Sequence, residues 1–183
     1  TAGQIQTAGS AFRPTHSWVM RDGDAGFTTF NMTQTDYNYY TRFTHSSADA
    51  GIRTPVLSPI DGELNRYIKV RFRRNAAGGS SWDGSVYWVG GAGSESSQRK
   101  LNWDDPTNNT PSEEWSIVLF DMHNISTGGD AWKDDDAITK IRIDFGNTAG
   151  DAFDVDFVMV GDLSADTAGT FIDSSGVYTG TLT

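Results

Sequence analysis

Three tryptophans lie in long, polar, glycine-rich loops, where an aromatic ring can serve one of two purposes. Trp82 lies in RNAAGGSSWDG, Trp103 in GGAGSESSQRKLNWDDPTNNTPSEE and Trp132 in HNISTGGDAWKDDDA. Such a ring either folds back over the edge of a hydrophobic core or stacks on a flat apolar ligand, and sugars present flat C–H faces. Both purposes remain open from the sequence, and Trp82, Trp103 and Trp132 are therefore candidate ligand-binding residues.

The turn DGDAG contains two aspartates, Asp22 and Asp24, that could ligate a cation. It begins like an EF-hand calcium loop, but Gly26 and Thr33 occupy positions where that motif has oxygen ligands, so the EF-hand pattern fails. The turn is then either a tight connection between two strands or an oxygen-rich edge that holds structural calcium. We take Asp22, Asp24 and Asp156 as candidate metal ligands and Ca²⁺ as the candidate cofactor.

The residues needed for catalysis do not form a recognised pattern. The three histidines, His16, His45 and His123, are scattered, without the HExxH spacing of zinc proteases or a GxSxG nucleophile elbow. A glycosidase needs two carboxylates across a cleft, and the chain has 24 acidic residues. Most of them lie in glycine-rich loops or beside arginines, which lower rather than raise a carboxylate pKa. The sequence therefore predicts no enzymatic activity.

Apolar residues recur at every second position through most of the chain, which is typical of half-buried strands. In RYIKVRFRR, Ile68, Val70 and Phe72 alternate with basic residues. Seven further segments bounded by turn-forming residues are predicted strands: HSWVM, GFTTF, YNYYTRF, GSVYWVG, WSIVLFD, ITKIRIDF and FDVDFVMV. About eight short strands without a convincing helix predict an all-β sandwich, most simply a jelly roll.

In FDVDFVMV, the alternation places Phe153, Val155, Phe157 and Met159 on one face and two aspartates on the other. If the charged strands share one sheet, opposite charges meet on its outer surface, and each cross-strand pair contributes about 0.2–1 kcal/mol. The alternative is that the same charged face binds a ligand. The residues concerned are Arg71, Arg73, Arg142, Asp144, Asp154 and Asp156.

Length, charge and composition limit the classes of function. The 183 residues suffice for one domain with a real core. The net charge of −10 and the lack of a basic stripe argue against nucleic-acid binding. No run approaches the roughly 18 apolar residues of a membrane helix, so we expect no membrane insertion. There is no cysteine, and the chain begins at Thr1 without a leader, which we interpret as a fragment or a processed chain.

Four segments together resemble carbohydrate-binding, galactose-binding-like jelly rolls. These segments are RYIKVRFRR, EWSIVLFDM, GDAWKDDDAITKIRIDFGN and DAFDVDFVMVG, and the resemblance covers roughly residues 16 to 162. It implies a β-sandwich at 16–163 between linkers at 1–15 and 164–183. It also implies that Asp156, in the last strand, helps to hold a structural calcium near the first strands.

The two ends of the chain resemble consecutive parts of one phrase. GVYTGTLT closes the sequence and TAGQIQ opens it, and tailed-phage tip and host-specificity proteins contain a G-x-Y-x-G-T-L-T stretch that runs into A-x-Q-I. The resemblance implies a virion location outside the host cell, neighbouring tail subunits as partners and a parent protein assembled as a homotrimer. Coincidence within a Thr/Gly-rich linker is the alternative.

Together these features predict a non-catalytic domain of a phage tail tip or fibre that binds a bacterial cell-surface glycan. The sequence leaves two alternatives open. The domain could be a structural decoration or assembly domain of the tail that contacts no sugar. It could also be a carbohydrate-binding module of a secreted bacterial polysaccharide hydrolase.

Overall fold

The computed structural model describes residues 10–21, 23–75, 82–91, 93–104, 114–124, 128–165, 170–173 and 176–179. The strands within these ranges are β1 (Ser10–Val19), β2 (Thr28–Phe30), β3 (Met32–Tyr37), β4 (Tyr40–His45), β5 (Gly51–Arg53), β6 (Tyr67–Arg74), β7 (Ser85–Val89), β8 (Lys100–Asn102), β9 (Ser116–Asp121), β10 (Lys140–Asp144), β11 (Ala152–Ala165), β12 (Thr170–Asp173) and β13 (Gly176–Thr179). One 3₁₀ turn covers Trp132–Asp134.

Eleven of these strands form two antiparallel sheets. The front sheet has the order β3-β4-β11-β6-β9, and β1 also pairs with the long strand β11. The back sheet has the order β2-β5-β10-β7-β8. Strands β12 and β13 pair with each other. The predicted all-β sandwich is confirmed, and each of the eight predicted segments contributes to a strand. Strand β1 starts at Ser10, inside the segment predicted as a linker.

The core fills the space between the two sheets because the strands alternate as the sequence predicts. In β6, Ile68, Val70 and Phe72 are fully buried, while the basic residues between them are half-buried on the outer face. The back sheet contributes Val86 and Trp88 from β7 to the same core. Each fully buried side chain of this size contributes about 1.5–3 kcal/mol from loss of apolar contact with water.

A β-bulge in β11 changes which residues of this strand face the core. The pairing of β11 with β6 shifts register between Val155 and Phe157, so Asp156 is the extra residue. Beyond the bulge, Val158 and Val160 are fully buried, whereas Phe157 and Met159 are only half-buried and pair with outward-facing residues of β6. The predicted alternation was correct up to Val155 and wrong after it, because one inserted residue inverts the face of every residue that follows.

The described residues contain no helix with the length and apolar character that crossing a bilayer requires.

Candidate functional site

Trp82 and Trp103 fold back onto the sandwich. The ring of Trp82 stacks on Phe72 with centroids 5.7 Å apart, and its indole Nε1–H donates a hydrogen bond of 2.8 Å to the backbone oxygen of Trp103. Trp103 in turn stacks on Phe120 at 5.3 Å. Both indoles are partly buried against the core. Of the two purposes that the sequence left open, this geometry matches the covering of a core edge.

Trp132 lies inside the core, and this position corrects its candidacy as a ligand-binding residue. Its side chain is fully buried, meets Trp88 edge-on at 5.6 Å and donates a hydrogen bond of 2.9 Å to the backbone oxygen of Asn65. The 3₁₀ turn that carries it turns the ring inward, where an indole is stable because its N–H has a partner. No face of this ring is exposed for a sugar.

The three candidate metal ligands are only partly described. Asp22 lies outside the described residues. The carboxylate of Asp24 accepts hydrogen bonds from the backbone N–H of Gly26 at 2.8 Å and from the side chain of Gln34 at 2.9 Å. The carboxylate of Asp156 pairs with Arg71. Within the described ranges, no group of three or more acidic or histidine side chains is arranged to hold a metal. The structural calcium stays a prediction.

The charged strand residues divide between the two sheets. The front sheet carries four of them on β6 and β11: Arg71, Arg73, Asp154 and Asp156. The back sheet carries Arg142 and Asp144, both on β10. The six charged residues therefore do not share one sheet, and two separate clusters replace the single predicted salt-bridge ladder.

The back-sheet cluster is built around a buried ion pair between Arg142 and Asp144. Arg142 pairs with Asp144 at 2.7 Å and with Asp49, and its guanidinium lies 4.6 Å from the ring centre of Phe30 and 5.0 Å from that of Tyr87. Arg142 and Asp144 are buried. Burial raises the pKa of Asp144 to about 6, although the hydrogen bond from Arg142 opposes this effect. Because Arg142 and Asp144 are buried and paired with each other, we interpret this cluster as structural.

The front-sheet cluster is built around a fully buried carboxylate. Asp154 accepts hydrogen bonds from Nε of Arg42 at 2.6 Å, from Nη2 of Arg42 at 3.0 Å and from Nε of Arg73 at 2.8 Å. The hydrogen bond with Asp154 raises the pKa of Arg42. Nearby, Nη1 of Arg71 donates to Asp156, the residue of the bulge. These bonds fix three guanidinium groups side by side on the outer face of the front sheet.

Aromatic rings lie across these guanidinium groups. The ring of Trp115, which directly precedes β9, is 4.5 Å from the guanidinium of Arg71 and 4.9 Å from that of Arg73. Tyr40 meets Trp115 edge-on at 5.7 Å, and Tyr37 stacks on Tyr40 at 4.6 Å. Guanidinium–aromatic stacking of this kind holds both partners in a fixed orientation.

These side chains line an open groove of about 320 Å³, which we call the front groove. Its residues are Arg21, Tyr39, Tyr40, Arg71, Arg73, Trp115 and Asp156. Tyr39 is 70% exposed at the turn between β3 and β4, so an aromatic side chain also stands at the rim. The front groove thus combines flat apolar rings with charged hydrogen-bond donors, the combination that a polar ligand with apolar faces requires.

A second cleft, of about 380 Å³, has a different chemistry. Its described lining consists of Arg99, the aspartates at 130, 134, 135 and 136 and small residues at 91, 129 and 131, with no aromatic side chain among them. These described residues offer a sugar no ring to stack on, and the front groove is therefore the better candidate for a sugar site.

Comparisons with known proteins bear on the fold. A scan against protein-family models and a search of curated proteins both find no match. Among solved structures, the chain is similar to the CBM22-1 xylan-binding domain from Paenibacillus barcinonensis Xyn10C, with 13% identity, 86% of this chain and 98% of that chain covered, and a TM-score of 0.54. The chain has the β-sandwich fold of a carbohydrate-binding module.

Two further solved structures match at lower scores. A family 29 carbohydrate-binding module complexed with cellulohexaose has 12% identity, coverage of 91% of this chain and 99% of that chain, and a TM-score of 0.47. The CBM35 from Paenibacillus barcinonensis has 14% identity, coverage of 80% and 98%, and a TM-score of 0.45.

Sequence reasoning missed Tyr40 and Trp115 as candidate site residues. Both lie in segments predicted as strands, YNYYTRF and WSIVLFD, whereas the predicted ligand-binding rings all lie in loops. The sequence does contain part of the evidence for Tyr40. It is two residues before Arg42, and residues two apart lie on the same face of a strand, here β4. The proximity of Trp115 to β6 follows from the pairing of β9 with β6, which the sequence does not specify.

Proposed function

We propose that this chain is a non-catalytic glycan-binding domain and that the front groove is its binding site. The observation that carries the proposal is the arrangement of Trp115 and Tyr40 beside the guanidinium groups of Arg71 and Arg73 in one open groove. A sugar ring offers a C–H face to an indole or phenol and hydroxyl oxygens to guanidinium N–H donors. The shared fold with a xylan-binding domain supports the proposal at the level of architecture.

The groove is built for binding rather than turnover. Its carboxylate Asp156 is engaged by Arg71, and the carboxylate beneath it, Asp154, is fully buried between two arginines. Glycoside hydrolysis requires one carboxyl group that protonates the leaving oxygen and a second that acts on the sugar or a water. Neither aspartate is placed to donate a proton to a ligand, so both serve to position the arginines.

We further propose that the parent protein is a component of a phage tail tip or fibre that attaches to host polysaccharide. The support is the resemblance of residues 170–183 and 1–6 to the two parts of a tail-protein phrase. Repeated copies in a tail would compensate for weak binding by each domain, because linked sites raise the effective concentration. Threefold assembly remains a prediction. A module of a secreted polysaccharide hydrolase would use the same groove in another setting.

A tail-assembly domain without sugar binding is the second candidate function, and exposed apolar residues favour it. On β9, Ile117 is 58% exposed and Leu119 is 38% exposed, and both lie on the outer face of the front sheet. Such residues suit contact with a neighbouring subunit. In that case the front groove would bind no polysaccharide, and its aromatic residues could be replaced without effect on adsorption to cells.

A binding assay with matched variants tests the proposal. The isolated chain is applied to a glycan array and to affinity electrophoresis with bacterial surface polysaccharides, alongside the double variant Tyr40→Ala/Trp115→Ala. The control is Tyr87→Ala, which removes a half-buried ring from the back sheet. We expect retention for the wild type and the control and loss for the double variant. Binding by the double variant at wild-type strength would contradict the proposed site, and absence of binding by the wild type to every glycan would contradict the function.

A further inference from the structure

The described side chains of the front groove carry an excess of positive charge, although the protein as a whole is acidic. The chain has 24 acidic and 14 basic residues, a net charge of −10. The described residues that line the front groove reverse this balance, because they include three arginines, Arg21, Arg71 and Arg73, and one carboxylate, Asp156. Arg42 and its buried partner Asp154 support the groove, and adding this pair leaves an excess of two positive charges among the described residues.

The arginines retain donors that can bind a ligand. Arg73 uses Nε for its bond to Asp154, and Arg71 uses Nη1 for its bond to Asp156. Each guanidinium has five N–H donors, so several on each remain available. Both groups are partly exposed and held against Trp115. Arg21 is exposed at the groove and has no carboxylate partner among the described residues.

We propose that the ligand is an acidic glycan, with an anionic group on a sugar that stacks on the groove's aromatic rings. This inference rests on the proposed function and adds the class of sugar. A planar guanidinium fork matches a carboxylate in two parallel hydrogen bonds and binds sulfate or phosphate esters by the same donors. A neutral glycan would leave the excess positive charge of the front groove without a counterpart.

The test compares acidic polysaccharides with forms in which the charge has been removed. A panel of bacterial uronate-containing polysaccharides is paired with their carboxyl-reduced derivatives, and dextran sulfate is paired with dextran. We expect about tenfold or greater weakening on loss of the anionic group, as for one charge-assisted contact. The uronate and sulfate pairs show which anion the groove accepts. Polyglutamate, an anionic polymer without sugar, should bind at least about tenfold more weakly than the best acidic glycan.

Two variants connect the preference to the groove. Arg21→Gln removes an exposed cation that has no ion pair among the described residues, and we expect it to reduce the preference for the acidic form while the folded state is unchanged. Lys100→Gln, on the back sheet, is the control and should leave the preference intact. Added salt should weaken binding of the acidic form more than that of the neutral form.

The outcomes separate this inference from the proposed function. Equal binding of the acidic and neutral forms would overturn the acidic-glycan proposal and leave glycan binding intact. Polyglutamate binding as strong as that of the acidic glycans would also overturn it, since sugar recognition would then contribute nothing. Failure to bind any glycan of either form would contradict the proposed function itself.

Discussion

Replacing Trp115 and Trp82 separately by alanine should produce opposite results. Trp115 lies on the surface of the front groove, whereas Trp82 packs against Phe72 and hydrogen-bonds to the backbone of Trp103. A sugar ring covering one indole face would remove about 60 Å² of apolar surface from water, and about 25 cal/mol per Å² gives about 1.5 kcal/mol. Trp115→Ala should therefore weaken glycan binding roughly tenfold or more.

The same substitutions should differ in their effect on stability. Trp115→Ala loses contacts with two partly exposed arginines, and we expect a decrease in the free energy of unfolding below about 2 kcal/mol. Trp82→Ala leaves a cavity beside Phe72 and should cost about 2–4 kcal/mol, less than a fully buried tryptophan because the ring is partly exposed. Urea unfolding followed by circular dichroism gives the free energy of unfolding. Isothermal titration calorimetry with a polysaccharide that the wild type binds gives the affinity.

Two results would refute this reasoning. One is that Trp82→Ala, measured under conditions where it is folded, loses binding while Trp115→Ala retains it. That outcome would restore the loop tryptophans as the sugar platform. The other is that Trp82→Ala leaves the unfolding midpoint unchanged, which would show that its ring does not cover the core as described.

Three further substitutions test the packing that supports the site. Burial lowers the pKa of His45 below its ordinary value of 6.5; its contribution to stability is therefore present above pH 6.5 and lost as the pH falls, by up to about 1.4 kcal/mol per pH unit. His45→Phe should flatten this part of the pH–stability curve. If the free energy of unfolding, measured by urea titration at several pH values, falls as steeply with pH in the variant as in the wild type, a buried neutral imidazole is contradicted. A Cβ on Gly51 would lie 1.8 Å from Oδ1 of Asp144, so Gly51→Ala should lower stability by about 1–3 kcal/mol; an unaltered melting temperature would show that the cluster can move aside. Asp154→Asn removes the buried anion that Arg73 shares with Arg42. Since both arginines reach solvent, we expect the free energy of unfolding to fall by about 1–3 kcal/mol and glycan binding to weaken. Unchanged affinity would show that the ion pair does not position the groove.

The architecture was predictable because most strands have one apolar face. The period-two pattern of RYIKVRFRR fixes which residues of β6 are buried, and the structure confirms it position by position. The pattern of β11 failed beyond Val155 because a bulge at Asp156 depends on pairing with a partner strand, and the sequence of β11 contains no local sign of it. That bulge matters for the proposed binding site, since it places the carboxylate of Asp156 against Arg71.

The candidate site was less predictable than the fold. The sequence suggested that the charged strand face could bind a ligand, and Arg71, Arg73 and Asp156 do line the front groove. It also indicated tryptophans in loops as candidate ligand-binding residues, and one of them, Trp132, is a core residue. Loop composition does not reveal whether a ring turns inward, because that depends on which cavity the opposite sheet leaves open. The pairing of β9 with β6 brings Trp115 to the groove, and strand order of this kind is a long-range property.

The six tryptophans provide the most direct test of the account. In a nuclear magnetic resonance titration with a bound acidic oligosaccharide, the indole N–H signals report each ring separately. We expect the signal of Trp115 to shift progressively with ligand, while those of the buried Trp88 and Trp132 and of the core-covering Trp82 stay in place. A shift of the Trp82 or Trp132 signal with an unchanged Trp115 signal would contradict the assignment of the front groove as the glycan site.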